Sequence, residues 1–376
     1  MKIGIDAKWF YEGPPSGRVV VRNIIKHLAE LSPIDEFYIF LDKRAKGQEF
    51  PYQRSNIHLF YVWADNNMLS NIFVIPFCAY KLHLDIFIFQ NFSPFIFNSK
   101  RYVFIYDVLF KAYPKYYSRI ERLYFWPIKY LAYFANRLCT ISETEKLRLI
   151  KHGYGKADHI DVIYLGVDKI FMPREDHKPD LLQAVAEKYD LPSGYILYVG
   201  RLNIRKNIFN LLKSLAIMKN ATMPLVIVGA YDGKMSSLGK LIAELGIGDR
   251  VIFAGHVTDE DLPLIISLAR VFCFVSYAEA FGLPVLEAMA SGIPVVTSDR
   301  TCLPEICADA ALFADPDNPV EIAFMVDQLL DDENLWLEMR RLGIIRAQSF
   351  TWRISAKRLM DNLSKMMEAK HAERVL

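Results

Sequence analysis

The chain of 376 residues is poor in several features that would have narrowed its function at once. It has only five cysteines (Cys78, Cys139, Cys273, Cys302 and Cys307), an odd number with no Cys-x-x-Cys pair, which excludes a disulfide framework and a zinc ribbon. They read as reduced core residues of a cytosolic protein. No uninterrupted apolar run of roughly 20 residues exists to span a bilayer. The most apolar region, 71–97, is broken by Lys81, His83, Asp85 and Pro94, and the N-terminus reads as a first strand rather than a secretory signal. Internal repeats and low-complexity tracts are missing too. The formal charge is +2, so the chain lacks the strong basic excess of a nucleic-acid binder, and no recognised reading module is present.

What is present is apolar and uneven. Hydrophobic residues make up 52% and charged residues 23%, enough apolar surface for a folded chain, and the length favours two domains of roughly 170 to 200 residues. Residues 1–170 hold 23 Lys and Arg against 16 Asp and Glu, and the remainder 22 against 27. The first part also holds 34 of the 50 aromatic residues. A basic, aromatic half joined to an acidic one points to two partners of different chemistry.

Short β-branched and aromatic runs recur along both halves, for example 2–7, 37–42, 86–90 and 102–107, then 195–200, 225–229, 251–255, 271–275 and 294–298. Stretches with helical periodicity fill many of the gaps. Near-continuous apolar strands alternating with helices predict parallel sheets covered on both faces, because each crossover needs a helix to return the chain. The fold class is therefore α/β: two doubly wound domains facing a cleft, 1–172 and 173–349, joined through the proline-containing segment 171–179. A last amphipathic helix, 350–376, should pack on one of them.

Chemistry concentrates in 271–299. The run 271–275 reads as a buried strand, 276–282 as a loop, and Pro284 opens a short helix that Ser291 and Gly292 end. The amides of Phe281, Gly282 and Leu283 would then be unpaired donors at a helix N-terminus, where an anion such as phosphate is favoured. Gly282 would let the ligand approach the backbone. Glu279 and Glu287 flank this point, and because carboxylates repel phosphate they should address neutral sugar hydroxyls on either side. The competing structural reading makes Glu279 a helix cap and Glu287 a solvated face residue. Arg201 and Lys206 follow a strand ending in Gly200, at the carboxyl edge where open α/β sheets bind ligands.

The segment Glu279-Ala-Phe-Gly-Leu-Pro-Val-Leu-Glu287 resembles the E-x7-E motif of retaining GT-B glycosyltransferases, and the chain is similar to glycosyltransferase family 4, the group 1 family, over most of its length. Residues 198–207, with Gly200-Arg201 and Lys206-Asn207, resemble the family's diphosphate-binding segment. The resemblance implies a nucleotide-sugar donor in the second domain: base near Val257 and Leu262, ribose on Glu287, diphosphate on Arg201, Lys206 and the 281–283 amides, sugar at Glu279. It implies transfer of a hexose, with mannose from a GDP donor as the family-level expectation, to a saccharide or lipid-linked acceptor in surface-polysaccharide synthesis. No Asp-x-Asp motif lies near the site, so neither a metal nor another cofactor is expected. Rival readings are a GT-B isomerase, a sugar phosphorylase, or a donor-binding protein without transfer activity.

The first half departs from the family pattern. In the turn 13–18 the usual second glycine is missing and Arg18 stands near its place, while Ser16 and Gly17 remain to face acceptor and donor. Tyr106-Asp107 stands where relatives carry His-Asp, which removes a group titrating near neutrality; Asp107 is either catalytic or the cap of the following turn. Asn91, Ser142 and Glu143 are further acceptor-side candidates. Residues 111–137 contain six basic side chains, one acid and nine aromatics, a mixture suited to an anionic membrane surface or to a domain core. The expected location is thus cytoplasmic, peripheral on the inner face of the membrane.

Overall fold

The computed structural model describes residues 1–229 and 237–375, with side chains through Glu368. The chain divides into two compact units: Met1–Gly166 with Trp352–Leu376, and Val167–Thr351. The division falls before the 171–179 segment rather than within it. That segment instead forms a short 3-10 turn, Arg174–Asp176, and the start of helix Pro179–Lys188 inside the second unit.

Unit 1 is built on a seven-stranded sheet: β1 (Lys2–Asp6), β2 (Glu36–Asp42), β3 (Ile57–Val62), β4 (Ile86–Gln90), β5 (Lys100–Phe104), β6 (Arg137–Thr140) and β7 (Ile160–Val162), in the order 3-2-1-4-5-6-7. Unit 2 holds six: β8 (Ile196–Val199), β9 (Leu225–Val228), β10 (Val251–Gly255), β11 (Val271–Phe274), β12 (Val295–Ser298) and β13 (Leu312–Ala314), in the order 10-9-8-11-12-13. All pairings within both sheets are parallel. Each strand run expected from the sequence forms a strand, and β13, Leu-Phe-Ala, is one more that the sequence pattern did not mark.

The central strands explain the apolar runs. Every residue of β4 (Ile-Phe-Ile-Phe-Gln) and of β11 (Val-Phe-Cys-Phe) is buried, as strands covered on both faces require. The helix Pro15–Leu31 covers part of the first sheet with Val20, Val21, Ile24, Ile25 and Leu28, the three-and-four spacing of one helical face. Against that helix packs the last one, Trp352–Val375, so the chain finishes in unit 1. Trp352, Leu359 and Leu363 are buried there; Ser355 donates to the Tyr164 carbonyl at 2.6 Å and Asn362 to the Tyr102 hydroxyl at 3.3 Å. Each fully buried large apolar side chain contributes about 1.5–3 kcal/mol over an exposed one. Four cysteines are buried as expected, but Cys78 is exposed on helix Ile75–Ala79.

Both sheets reverse their winding at one place, between β1 and β4 in unit 1 and between β8 and β11 in unit 2. Neighbouring loops there leave in opposite directions and open a crevice at the carboxyl ends of the strands.

Candidate active site

At the switch point of unit 2 the segments after β8 and β11 meet. Asn207, in the left-handed region (φ 59°), ends the 3-10 turn Ile204–Lys206, and its amide donates to the Val275 carbonyl at 2.9 Å. The Tyr277 amide donates to the Arg205 carbonyl, also at 2.9 Å. This stitching delivers two cations to one carboxylate: Lys206 Nζ lies 2.7 Å and an Arg205 guanidinium nitrogen 3.1 Å from Glu279 Oε1. Lys206 Nζ also sits 4.5 Å from the centre of the Phe274 ring. Burial alone would raise the Glu279 carboxyl, but the charges of Arg205 and Lys206 outweigh it and hold it down at about 2. For Lys206 burial prevails over Glu279 and lowers the amine from its ordinary value. The strand ends themselves pack tightly: a Cβ on Gly229 would lie 2.0 Å from the Gly200 carbonyl oxygen, so the backbones of β8 and β9 touch.

The loop after β11 runs to Gly282, the N-cap of helix Leu283–Ala290, with Pro284 in its first turn and no side chain capping it. Glu279 is therefore not the cap; its own amide donates to Thr301 Oγ1 at 3.1 Å. Gly282 has a φ of 98°, which only glycine adopts freely, and an added Cβ would press on Leu303 at 2.9 Å. The backbone conformation by itself therefore requires glycine there. Phe281 is buried with its edge toward Phe350, and Leu283 is buried as well. Glu287 is half-buried, and its carboxyl is raised to about 7 by burial first and then by the charges of Asp168 and Asp259. Asp259 belongs to the same connection as Val257, which is buried, and Leu262, which is half-buried and opens helix Leu262–Ser267.

Unit 1 carries a different cluster at its own switch point. Lys8, buried, lies 2.5 Å from Asp6 Oδ1 and also donates to Asn71. Asn71 in turn donates to Asp6 Oδ2 at 3.0 Å and to the Phe92 carbonyl at 2.9 Å. The Gln90 amide nitrogen donates to the Asp6 carbonyl at 3.3 Å, and its oxygen accepts from the Tyr106 hydroxyl at 2.7 Å. Burial lowers the Lys8 amine against the pull of Asp6, and burial raises the Tyr106 hydroxyl well above its ordinary value. Trp9 lies 6.1 Å from Tyr106, ring to ring, and covers the 13–17 turn: a Cβ on Gly17 would come within 2.8 Å of its indole.

The other acceptor-side residues have local duties. Asp107 accepts from the Leu109 amide at 3.0 Å, a cap of the following turn. Ser142 caps helix Glu143–Lys151 by accepting from the Glu145 amide at 3.1 Å. Asn91 takes a left-handed conformation (φ 63°) and its amide donates to the Phe104 carbonyl at 2.7 Å. Ser16 and Glu143 are exposed; Arg18 is half-buried, with its amide on the Pro14 carbonyl at 3.0 Å. Glu145, one turn beyond Ser142, is fully buried, accepts from the Val108 amide at 2.7 Å and pairs with Arg148; burial pushes its carboxyl up to about 8.

Residues 185–347 match the family described as glycosyl transferases group 1. That match falls within unit 2. Among curated proteins, O-antigen chain mannosyltransferase B of Escherichia coli is 36% identical over 224 residues, 58% of this chain and 58% of that protein. The MMP alpha-(1->4)-mannosyltransferase of Mycolicibacterium hassiacum is 31% identical over 210 residues, 55% of this chain and 47% of the relative. The chain thus aligns with about half the length of these relatives. Similar solved structures include sucrose-phosphate synthase from Thermosynechococcus elongatus, with a TM-score of 0.78 at 21% identity over 98% of this chain and 100% of that one. The Anabaena protein HepE in complex with UDP-glucose gives 0.74 at 17% identity, over 97% and 100%. These likenesses confirm the GT-B fold, two units of parallel sheet and covering helices.

Within unit 2 the structure unites Glu279 with Lys206, whereas Arg201 is exposed and outside that ion-pair cluster. Arg205, which sequence reasoning passed over, lies beside the carboxylate. Asp6, Lys8, Asn71, Gln90 and Glu145 were also missed. Lys8 could have been suspected from a charge two residues beyond Asp6 at the end of an apolar strand, but Asn71 offered no local signal. Among the described residues no group of three or more His, Cys, Asp or Glu is placed to hold a metal ion.

Proposed function

We propose that the protein is a retaining glycosyltransferase that moves a hexose from a nucleoside diphosphate sugar to a hydroxyl of a saccharide or lipid-linked acceptor. The observation that carries this reading is the cluster of Arg205, Lys206 and Glu279 beside the uncapped helix N-terminus at 282–283. A guanidinium stays protonated, so Arg205 alone can balance Glu279, and the buried Lys206 ammonium is left short of a counter-charge until a second anion arrives. A diphosphate meets that demand, and it meets it most strongly when its bond to the sugar breaks and negative charge grows on the leaving oxygen. Arg201, exposed at the same strand edge, joins once the donor is seated. Glu287, pushed up to about 7, suits hydrogen bonds with ribose hydroxyls, with Val257 and Leu262 beside the base. Because side-chain cations supply the positive charge, the mechanism requires no metal.

The names of the relatives, an O-antigen chain mannosyltransferase among them, make GDP-mannose the first donor to try and a bacterial surface polysaccharide precursor the first acceptor class. Purified protein is to be incubated with GDP-mannose, UDP-glucose and other nucleotide sugars, with free nucleoside diphosphate as the readout, and with an oligosaccharide acceptor whose product is examined by NMR. Release of diphosphate from one donor and an axial anomeric linkage matching that donor support the reading. Binding without release or transfer across the panel overturns it, as does an inverted linkage for the retaining step. Chelator is expected to leave the rate unchanged.

A further inference from the structure

Unit 1 displays large apolar side chains where a water-soluble surface would carry polar ones. Phe77 is 85% exposed, Ile96 84%, Ile120 80%, Leu123 72% and Phe73 66%. They come from three chain segments that adjoin. Helix Asn67–Leu69, which runs on into the π turn Ser70–Val74 and helix Ile75–Ala79, meets helix Arg119–Phe125 through Tyr124, which bonds the Met68 backbone. The 92–97 connection meets the same helical hairpin through Phe92 against Tyr124 (ring centres 5.5 Å) and Phe95 against Phe134 (5.2 Å). Ile120, Leu123, Trp126 and Tyr130 recur at three- and four-residue steps and are all exposed, while Ile128 and Leu131 between them are buried. The segment is thus apolar on both its faces: one serves the core, and the other is left exposed by the described residues.

The charge around this face has one sign. In 111–137, the stretch that contains helix Arg119–Phe125, Lys111, Lys115, Arg119, Arg122, Lys129 and Arg137 stand against Glu121 alone, and Glu121 is already engaged with the Ser118 amide in a capping box. A second copy of the chain would set the same positive cluster against itself. A bilayer rich in anionic headgroups answers both features at once, with aromatic and aliphatic side chains entering the interface and lysines and arginines meeting phosphates. We infer that this three-segment face seats the protein on an anionic membrane surface, lying in the interface without crossing it; no described helix is long and apolar enough to cross. The inference stands apart from the catalytic reading, since it uses none of the donor-site residues.

The test uses the full chain and vesicles of phosphatidylcholine with or without about a third phosphatidylglycerol. The native protein is expected to co-sediment with the anionic vesicles, to leave them as salt is raised, and to show a blue shift of tryptophan emission as Trp126 enters the interface. The combined variant Phe77→Ser, Ile96→Ser, Ile120→Ser, Leu123→Ser should partition at least about tenfold less. The variant Lys115→Glu, Arg119→Glu should lose the salt-sensitive part. Both should keep native circular dichroism and native affinity for free nucleoside diphosphate, which keeps the result separate from any failure of the donor site. The proposal is overturned if the native protein ignores anionic vesicles at low salt, or if the folded serine variant binds as the native does. It is also overturned if sedimentation velocity shows a native dimer that the serine variant converts to a monomer while neither binds vesicles.

Discussion

At the switch point of unit 1, Asp6 and Lys8 neutralise one another beside the side-chain amides of Asn71 and Gln90; at that of unit 2, Glu279 faces both Arg205 and Lys206. The two sheets share their winding but not the electrostatics of the corner it creates. In unit 1 Asp6 and Lys8 pair with one another, and the Asn71 side chain bonds to both. In unit 2 two described cations, Arg205 and Lys206, meet Glu279, and a helix N-terminus without a side-chain cap follows in the same loop, an arrangement that favours an anion. Topology thus decides where a ligand can sit, and the local count of charges decides which ligand.

The sharpest way to break this contrast is to remove one partner from the unit 1 corner. Lys8→Met should leave Asp6 buried and unpaired and cost about 3–5 kcal/mol of stability, read by urea or thermal unfolding. A loss under about 1 kcal/mol would mean that Asp6 simply takes up a proton and that the corner is not held by its ion pair.

In unit 2 the corresponding change should act on catalysis. Lys206→Ala leaves Glu279 paired with Arg205, so stability should move less than for Lys8, while turnover should fall about 10²- to 10³-fold. Steady-state kinetics beside unfolding curves checks this; unchanged turnover with reduced stability would make the unit 2 corner structural as well.

A smaller effect separates the two glutamates. Glu287→Ala should weaken binding of free nucleoside diphosphate by about 1–3 kcal/mol, whereas Glu279→Ala should lower transfer with little change in that affinity. Calorimetric titration of both variants decides, and equal losses of nucleotide affinity would contradict the division of labour.

Glu287 also gives a pH signature. Its carboxyl is raised to about 7 in the fold, against roughly 4.3 in an unfolded chain. Between those values the folded protein holds more protons than the unfolded one, so this group's contribution to stability falls as pH rises through the window. Nucleotide affinity should climb over the same range as the carboxylate becomes free to accept from ribose hydroxyls. Glu287→Gln should flatten both slopes, and a variant that keeps them points to another group. The smallest change is expected from Arg201→Ala, within about 0.5 kcal/mol of native stability because the side chain is exposed, with its effect confined to donor turnover.

Reading the sequence located the unit 2 site far better than the unit 1 site, and the reason is distance along the chain. Glu279, Gly282, Pro284 and Glu287 fall within one strand, loop and helix, whose local signals, a short apolar run, a glycine and a proline at the helix start, appear in order. The Asp6 cluster draws Asn71 from a turn about sixty residues away and Gln90 from another strand, and none of these has a local pattern that marks it. Even within unit 2, the choice between Arg201 and Arg205 was beyond spacing. It depends on the tertiary contact between the turn ending at Asn207 and the loop after Val275, where Arg205 meets Glu279. For Asp107 the sequence left catalysis and turn capping open, and the structure shows the capping bond.

By itself, then, the amino-acid order determined the parallel α/β architecture, the strand positions apart from β13, and the helix start that holds the anion-favouring backbone, since all of these follow from periodicity and from glycine and proline over a few residues. Only the tertiary structure decided which unit the last helix joins, which arginine reaches Glu279, and that three separate aromatic segments adjoin on unit 1 with their outer side chains uncovered. Burial and ion pairing depend on what the rest of the chain brings alongside a residue, and a linear pattern carries no measure of that.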